Sequence, residues 1–206
     1  MREELAHYGG ITVMIPAALV IAVWLRYSSP RALKGWLITV ACTYSIVAFS
    51  KLLFKGWGVS FQYLDIAVLS GHAMNTCLVV TVAMSLVARQ FNPALRWPAA
   101  LAGLIATGWF SAYCVAPYIH PLNEALAGGL LGAVAALTFL WRIDVAQVNV
   151  SPSLIGAGAV VVLLSALVPK YNAENLLNHV AVSVSGASRA HQEPAWRVGS
   201  GPIKAQ

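Results

Sequence analysis

The sequence has 206 residues, of which 59% are hydrophobic and only 10% are charged. Soluble domains carry about a quarter charged residues, so this composition excludes an ordinary soluble globular protein and indicates an integral membrane protein. The formal net charge of +6 does not indicate nucleic-acid binding, because the basic residues cluster at the ends of apolar runs and near the C-terminus, where membrane topology explains them.

Long apolar runs predict helices that span a membrane. A span takes roughly 20 mostly apolar residues, and these runs lack the alternation of a β-barrel strand. We predict an all-α integral membrane bundle of about six transmembrane helices, in one domain over residues 1–168. Residues 169–206 are predicted to form a polar, loosely ordered tail with a short helix near "AENLLNHVAV". The predicted spans are 9–26, 34–54, 66–88, 96–116, 122–141 and 153–168.

The loops differ in their basic residues, and this difference predicts an orientation. Lys and Arg are enriched in cytoplasmic loops. The loops after the first, third and fifth spans carry such residues, so we expect them in the cytoplasm and both termini outside. In a bacterium this is a multi-pass inner membrane protein. The basic residues are Arg26, Arg31, Lys34, Arg89, Arg96 and Arg142. Small residues in "AGGLLGA" and "GAGA", in the fifth and sixth spans, predict close helix approach.

Two residues at the start of the fifth span form the first candidate site. Ionisable groups in a membrane domain are costly and therefore point to function. His120 and Glu124 are four residues apart, so a helix that begins near His120 puts both on one face. The carboxylate would then hold one imidazole nitrogen and leave the other as a nucleophile or base. The alternative is an ordinary helix start, capped by Asn123, with His120 on the surface.

A second histidine lies in "LSGHA", residues 69–73, on the same predicted side of the membrane. Backbone amides of Ser70 and Gly71 can face an anion, and His72 can donate a proton to a leaving oxygen. The alternative is a kinked, packed helix with a buried polar histidine.

Two lysines also lie on this side. Lys51 and Lys55 share a helix face, and their ammonium groups suit a phosphate. The alternative is snorkelling at a helix end, which is common. Asp65 either caps the third helix, the simpler role, or pairs with a lysine.

The order of these groups resembles the type 2 phosphatidic acid phosphatase superfamily of membrane phosphatases, over about residues 36–135. Lys51 in "KLLFKGWGV" resembles the lysine that opens the family's first motif. Ser70–His72 resemble the end of its Pro-Ser-Gly-His motif. His120 and Glu124 in "HPLNEALAGGLLG" resemble its last motif, a histidine followed four residues later by an acid.

The resemblance implies a membrane phosphatase that acts on a lipid-linked phosphate or diphosphate at the outer membrane face. His120 would attack phosphorus and form a phosphohistidine, Glu124 would orient it in place of the family's aspartate, and His72 would protonate the leaving oxygen. The implied phosphate-binding residues are Lys51, Lys55, Ser70 and Gly71. No cofactor is implied, and no metal site is expected because the carboxylates are few and dispersed.

The sequence also departs from the family pattern. Gly58 and Val59 stand where the first motif has Arg-Pro, and Leu69 replaces the proline of the second motif. Tyr113 and Cys114 stand where the third motif has Ser-Arg. Both family arginines are therefore absent, and lysine does not reproduce the two-pronged guanidinium contact to phosphate.

These departures keep two alternatives open. The first is a catalytically impaired family member that binds a lipid head group or supports an envelope complex. The second is a haem-binding membrane subunit with His72 and His120 as axial ligands. The lipid substrate and the oligomeric state are not determined by the sequence.

Overall fold

The computed structural model describes residues 5–116, 118–143, 148–169, 174–194 and 196. Its regular elements are helices throughout this part of the chain, which confirms the all-α prediction. Five apolar segments are long enough to cross a membrane, which indicates a multi-pass membrane protein, and a sixth apolar helix is shorter. The helices are α1 (Ile11–Ser28), α2 (Pro30–Trp57), α3 (Gly71–Phe91), α4 (Arg96–Phe110), α5 (Leu122–Arg142), α6 (Pro152–Ala166) and α7 (Glu174–Ser185).

Local capping sets the ends of α2, which is longer than its predicted span. The Ser29 side chain accepts a hydrogen bond from the Ala32 amide at 3.3 Å, and Pro30 is the first helical residue, where a missing N–H costs nothing. The helix ends at Gly58, whose φ of 70° belongs to the left-handed region that glycine enters without a steric penalty.

The start of α3 corrects a prediction. Ser70 is the N-cap, because its hydroxyl accepts a hydrogen bond from the Ala73 amide at 3.4 Å. Residues 66–70 therefore precede the helix instead of belonging to the span. Asp65 does not cap α3. It has a φ of 52° in the turn before the helix, and its carboxylate accepts a hydrogen bond from the Trp196 indole at 3.4 Å.

Helix α3 lies at the centre of the bundle, packed against α4 and α5. Two glycines of α5 allow it to lie close to α3. A Cβ at Gly128 would stand 2.2 Å from the Ser70 carbonyl oxygen, and one at Gly132 would stand 2.3 Å from the Met74 carbonyl oxygen. The prediction of close approach at the small residues of the fifth span is therefore confirmed.

Helix α6 runs back along α1. The Trp24 indole donates to the Leu154 carbonyl at 3.0 Å near the end of α1, and a Cβ at Gly158 would meet Val20 of α1 at 2.4 Å. Because α6 begins beside the end of α1, the two helices are antiparallel. The chain thus returns towards the end of the bundle where α1 and α5 begin.

Helix α7 lies within the segment predicted as a polar tail and is docked on α2. The helix expected near this position is present. Its buried residue is Ala181, and a Cβ at Gly56 of α2 would come within 3.2 Å of Ser185 Cβ. The small side chains therefore let α7 lie directly against α2.

Candidate functional site

A cavity of about 870 Å³ opens at the end of the bundle where α3 and α5 begin. It brings together five of the seven predicted site residues. Its wall also includes residues of the C-terminal segment that were not predicted. The five predicted residues are Lys51, Lys55, His72, His120 and Glu124, and the C-terminal ones are Glu174, Gln192, Glu193 and Pro194.

Glu124 is buried, with 2% of its surface exposed, and both of its oxygens face donors. Oε1 accepts a hydrogen bond from the Ala67 amide at 3.0 Å, and Oε2 lies 2.9 Å from His120 Nδ1. A carboxylate only accepts hydrogen bonds, so Nδ1 carries the proton and donates. In the neutral imidazole, Nε2 of His120 then has a lone pair. The predicted contact of His120 with Glu124 is therefore present, although His120 lies before the start of α5 and not on its face. Asn123 does not cap α5 but donates to the Leu64 carbonyl at 3.0 Å.

The second histidine lies beside the first. His72 is in the first turn of α3, and its ring centroid is 6.5 Å from that of His120, with an angle of 55° between the ring planes. The residues that carry the two rings are 48 positions apart, and the close contact of α3 with α5 brings them to the same cavity.

The structure does not bring Ser70 and Gly71 to this cavity wall. Ser70 is completely buried, its amide donates to the Glu124 carbonyl at 3.2 Å, and its hydroxyl is the cap of α3. The predicted role of Ser70 in phosphate binding is therefore corrected to a structural one, which joins the start of α3 to α5. Gly71 is the first residue of α3 and faces Val47.

Both lysines line the cavity, and one carboxylate from α7 bridges them. Lys51 Nζ is paired with Oε1 of Glu174, and Lys55 Nζ lies 2.9 Å from Oε2 of the same side chain. Lys55 also donates to Asn178 Oδ1 at 2.7 Å. Among the described residues, no arginine lines the cavity. The ammonium groups of the two lysines therefore supply its positive charge.

Sequence reasoning missed Glu174 and Asn178 as partners of the lysines. Glu174 and Asn178 are four residues apart, as are Lys51 and Lys55, and this equal spacing is the sequence feature that could have suggested the pairing. That signal does not tell which helices meet, because 123 residues separate Lys51 from Glu174.

Glu174 is charged at neutral pH. Burial acts to raise the pKa of its carboxyl, but the ammonium groups of Lys51 and Lys55 outweigh burial and lower that pKa from 4.5 to about 2. A lowered pKa means that the ionised carboxylate is favoured when α7 is docked. Docking of α7 is therefore strongest above pH 4.5 and weakens as the pH falls towards about 2.

Acid should therefore release α7 from α2. We expect the distance between spin labels on α2 and α7, measured by double electron–electron resonance on the purified full chain, to be narrow at pH 7 and broader at pH 3. The Glu174→Gln variant is the control, because it carries no titrating carboxylate and should give the same distance distribution at both pH values. A wild-type distribution that does not change by pH 3 would contradict this coupling.

Comparison with known proteins finds a relative whose name gives no function, so it provides no information about the site. No family model matches the chain, and no solved structure matches it. The chain is 31% identical over 140 residues to the "Uncharacterized 22.5 kDa protein in cps region" of Klebsiella pneumoniae, and the matched part is 67% of this chain and 67% of that protein. At this identity and coverage, the chain belongs to the family of that Klebsiella pneumoniae protein.

Proposed function

We propose that the protein is a membrane phosphatase that hydrolyses a lipid-linked phosphate or diphosphate through a phosphohistidine intermediate. One observation carries the proposal. A histidine whose Nδ1 is held by a buried carboxylate faces a cavity that contains a second histidine and two lysines. The resemblance to the type 2 phosphatidic acid phosphatase superfamily supports the same activity.

The chemistry uses the two histidines in turn. Nε2 of His120 attacks phosphorus, and the bond from phosphorus to the lipid oxygen breaks. His72 gives its proton to that oxygen, so the lipid leaves as an alcohol, or as a monophosphate from a diphosphate. Neutral His72 then takes a proton from water, whose oxygen attacks the phosphohistidine and releases phosphate. Glu124 stabilises the positive charge that His120 gains during the attack.

The lysines supply the electrostatic part of this mechanism. Negative charge spreads over the phosphoryl oxygens in the transition state, and nearby cations stabilise it. Lys51 and Lys55 lie on one face of α2 and both line the cavity. Two ammonium groups then take the place of the guanidinium groups used elsewhere in the superfamily.

The proposal includes a topology of six crossings with the site at the outer face of a bacterial inner membrane. Helix α6 has 15 residues, or about 22 Å of helix against a hydrocarbon core of about 30 Å. It nevertheless leads the chain from the end of α1 back towards the cavity, where Glu174 contacts Lys51. Basic residues near the opposite end support a cytoplasmic location for that end.

A second candidate is a catalytically impaired relative that binds a lipid head group or supports an envelope complex. The absence of arginine from the described cavity wall favours it. A lysine contacts phosphate as a point charge and gives weaker orientation than a guanidinium fork.

Phosphate release from defined lipids tests the two candidates. The full-length protein, purified in detergent, is incubated with phosphatidic acid, phosphatidylglycerol phosphate or a polyprenyl diphosphate, and free phosphate is measured. Turnover of at least one lipid supports the phosphatase. Binding of these lipids without turnover supports the impaired relative.

The role of His72 makes a sharper prediction about the leaving group. The His72→Asn variant should lose roughly 100-fold or more in rate with a lipid phosphate, because the alcohol oxygen needs a proton to leave. The loss should be much smaller with p-nitrophenyl phosphate, whose phenolate leaves readily without one. His179→Asn removes an exposed histidine of α7 and should leave both rates unchanged. Equal losses on the two substrates would contradict the acid role.

A further inference from the structure

The bridge between Glu174 and the two lysines occupies the place that the proposed function assigns to a phosphate. Each carboxylate oxygen of Glu174 faces a different ammonium group, from Lys51 and from Lys55. A phosphoryl group offers the same pair of charged oxygens, with a further oxygen and more negative charge. The side chain of Glu174 also lines the cavity that contains His72 and His120.

The lysines need an anion between them. They are four residues apart on one helix face, and like charges at this spacing repel each other. Both are largely buried, with 12% of the Lys51 side chain and 10% of the Lys55 side chain exposed. Desolvated ammonium groups are costly without a counter-charge, and the carboxylate of Glu174 supplies one that another anion could replace.

Helix α7 packs closely on α2 and buries few of its apolar side chains. Ala181 is its buried residue within the described structure, while Leu176, Val180 and Val184 on other parts of its surface remain exposed. About 39% of the Glu174 side chain is exposed, so a dissolved anion can reach the ion pairs from the cavity. Because Glu174 contributes to the docking of α7, an anion that replaces it on the two lysines favours separation of α7 from α2.

We propose that Glu174 is a built-in competitor for the anion site, so that docking of α7 and binding of a phosphate group to Lys51 and Lys55 exclude each other. This inference rests on the proposed function and describes the regulation of the same site. The linkage is reciprocal. Docked α7 lowers the affinity for phosphate, and bound phosphate loosens α7 by the same factor. The C-terminal segment is then an autoinhibitory strap, which a lipid phosphate must displace before His120 can attack.

Binding of inorganic phosphate tests the competition without any need for turnover. Phosphate is titrated into the full-length protein in detergent and followed by ³¹P line broadening. The Glu174→Gln variant should bind phosphate about tenfold more tightly than the wild type. Lys51→Gln added to Glu174→Gln should remove most of that gain. His179→Gln, at an exposed residue of α7 that lies outside the cavity wall, is the control and should stay within about twofold of the wild type.

Hydrogen exchange gives a second readout of the same competition. Phosphate should speed the exchange of the α7 amides in the wild type, compared with chloride at equal ionic strength. Unchanged or weaker phosphate binding by Glu174→Gln would show that Glu174 organises the lysines and does not block them. That result would overturn this inference but not the proposed function. If neither the wild type nor Glu174→Gln binds phosphate, the anion site itself is wrong, and the proposed function fails with the inference.

Discussion

Replacement of His120 by asparagine should abolish phosphate release, with a loss of roughly three orders of magnitude or more. The nucleophile forms the covalent bond to phosphorus, so its removal leaves only the charge stabilisation of the remaining groups. Asparagine keeps an N–H group that can reach Glu124, whose carboxylate lies 2.9 Å from His120 Nδ1, and it removes the lone pair of Nε2. The variant should therefore fold and still lack the reaction.

Trapping of the intermediate separates a nucleophile from a merely structural histidine. Brief incubation of the wild type with a lipid carrying ³²P in its phosphate should label the protein, and the label should be stable in alkali and labile in acid, as a phosphohistidine is. His120→Asn should give no label. His179→Asn, in an exposed histidine that lies outside the cavity wall, should label and turn over as the wild type does. Full turnover by His120→Asn would refute the mechanism.

The Gly132→Ala variant should lower stability by roughly 3 kcal/mol, the upper part of the usual range for an overpacked core. The added Cβ would stand 2.3 Å from the Met74 carbonyl oxygen and 3.0 Å from Cys77 Cβ. The nearest obstacle is backbone of α3, which cannot rotate away as a side chain can. Helices α3 and α5 must therefore separate, and the thermal denaturation midpoint in detergent should fall clearly.

Gly108→Ala is the matched control for this effect. Gly108 lies inside α4, and a Cβ at this position has nothing within 4 Å. The same substitution should then be neutral or slightly stabilising, since alanine favours a helix more than glycine does. If Gly132→Ala is as stable as Gly108→Ala, the close contact of α3 and α5 is wrong. The contact also matters for activity, because it brings His72 of α3 near His120 at the start of α5.

The predicted spans agree with the observed helices where hydropathy marks the ends of the helix, and they differ where a capping hydrogen bond sets the first helical residue. The fifth predicted span, 122–141, nearly coincides with Leu122–Arg142. The third, 66–88, begins too early, because residues 66–68 are apolar but the Ser70 cap starts the helix at Gly71. A hydropathy window measures how apolar a stretch is and does not detect the hydrogen bond that starts a helix.

The sequence by itself determined the local parts of the site. Lys51 and Lys55 lie four residues apart, and helix geometry alone puts them on one face of α2. His120 and Glu124 have the same spacing and are paired, although α5 begins only at Leu122 and His120 precedes it. Only the tertiary structure decided how the pairs are combined and what occupies the lysines. The contact of α3 with α5 depends on glycines that let two backbones meet, and it carries Ser70 away from the cavity wall and into a structural role. The bridge from Glu174 joins residues more than 100 positions apart, so it depends on the docking of α7 on α2. Local spacing has no information about such a contact, because it arises from packing between helices that are distant in the chain.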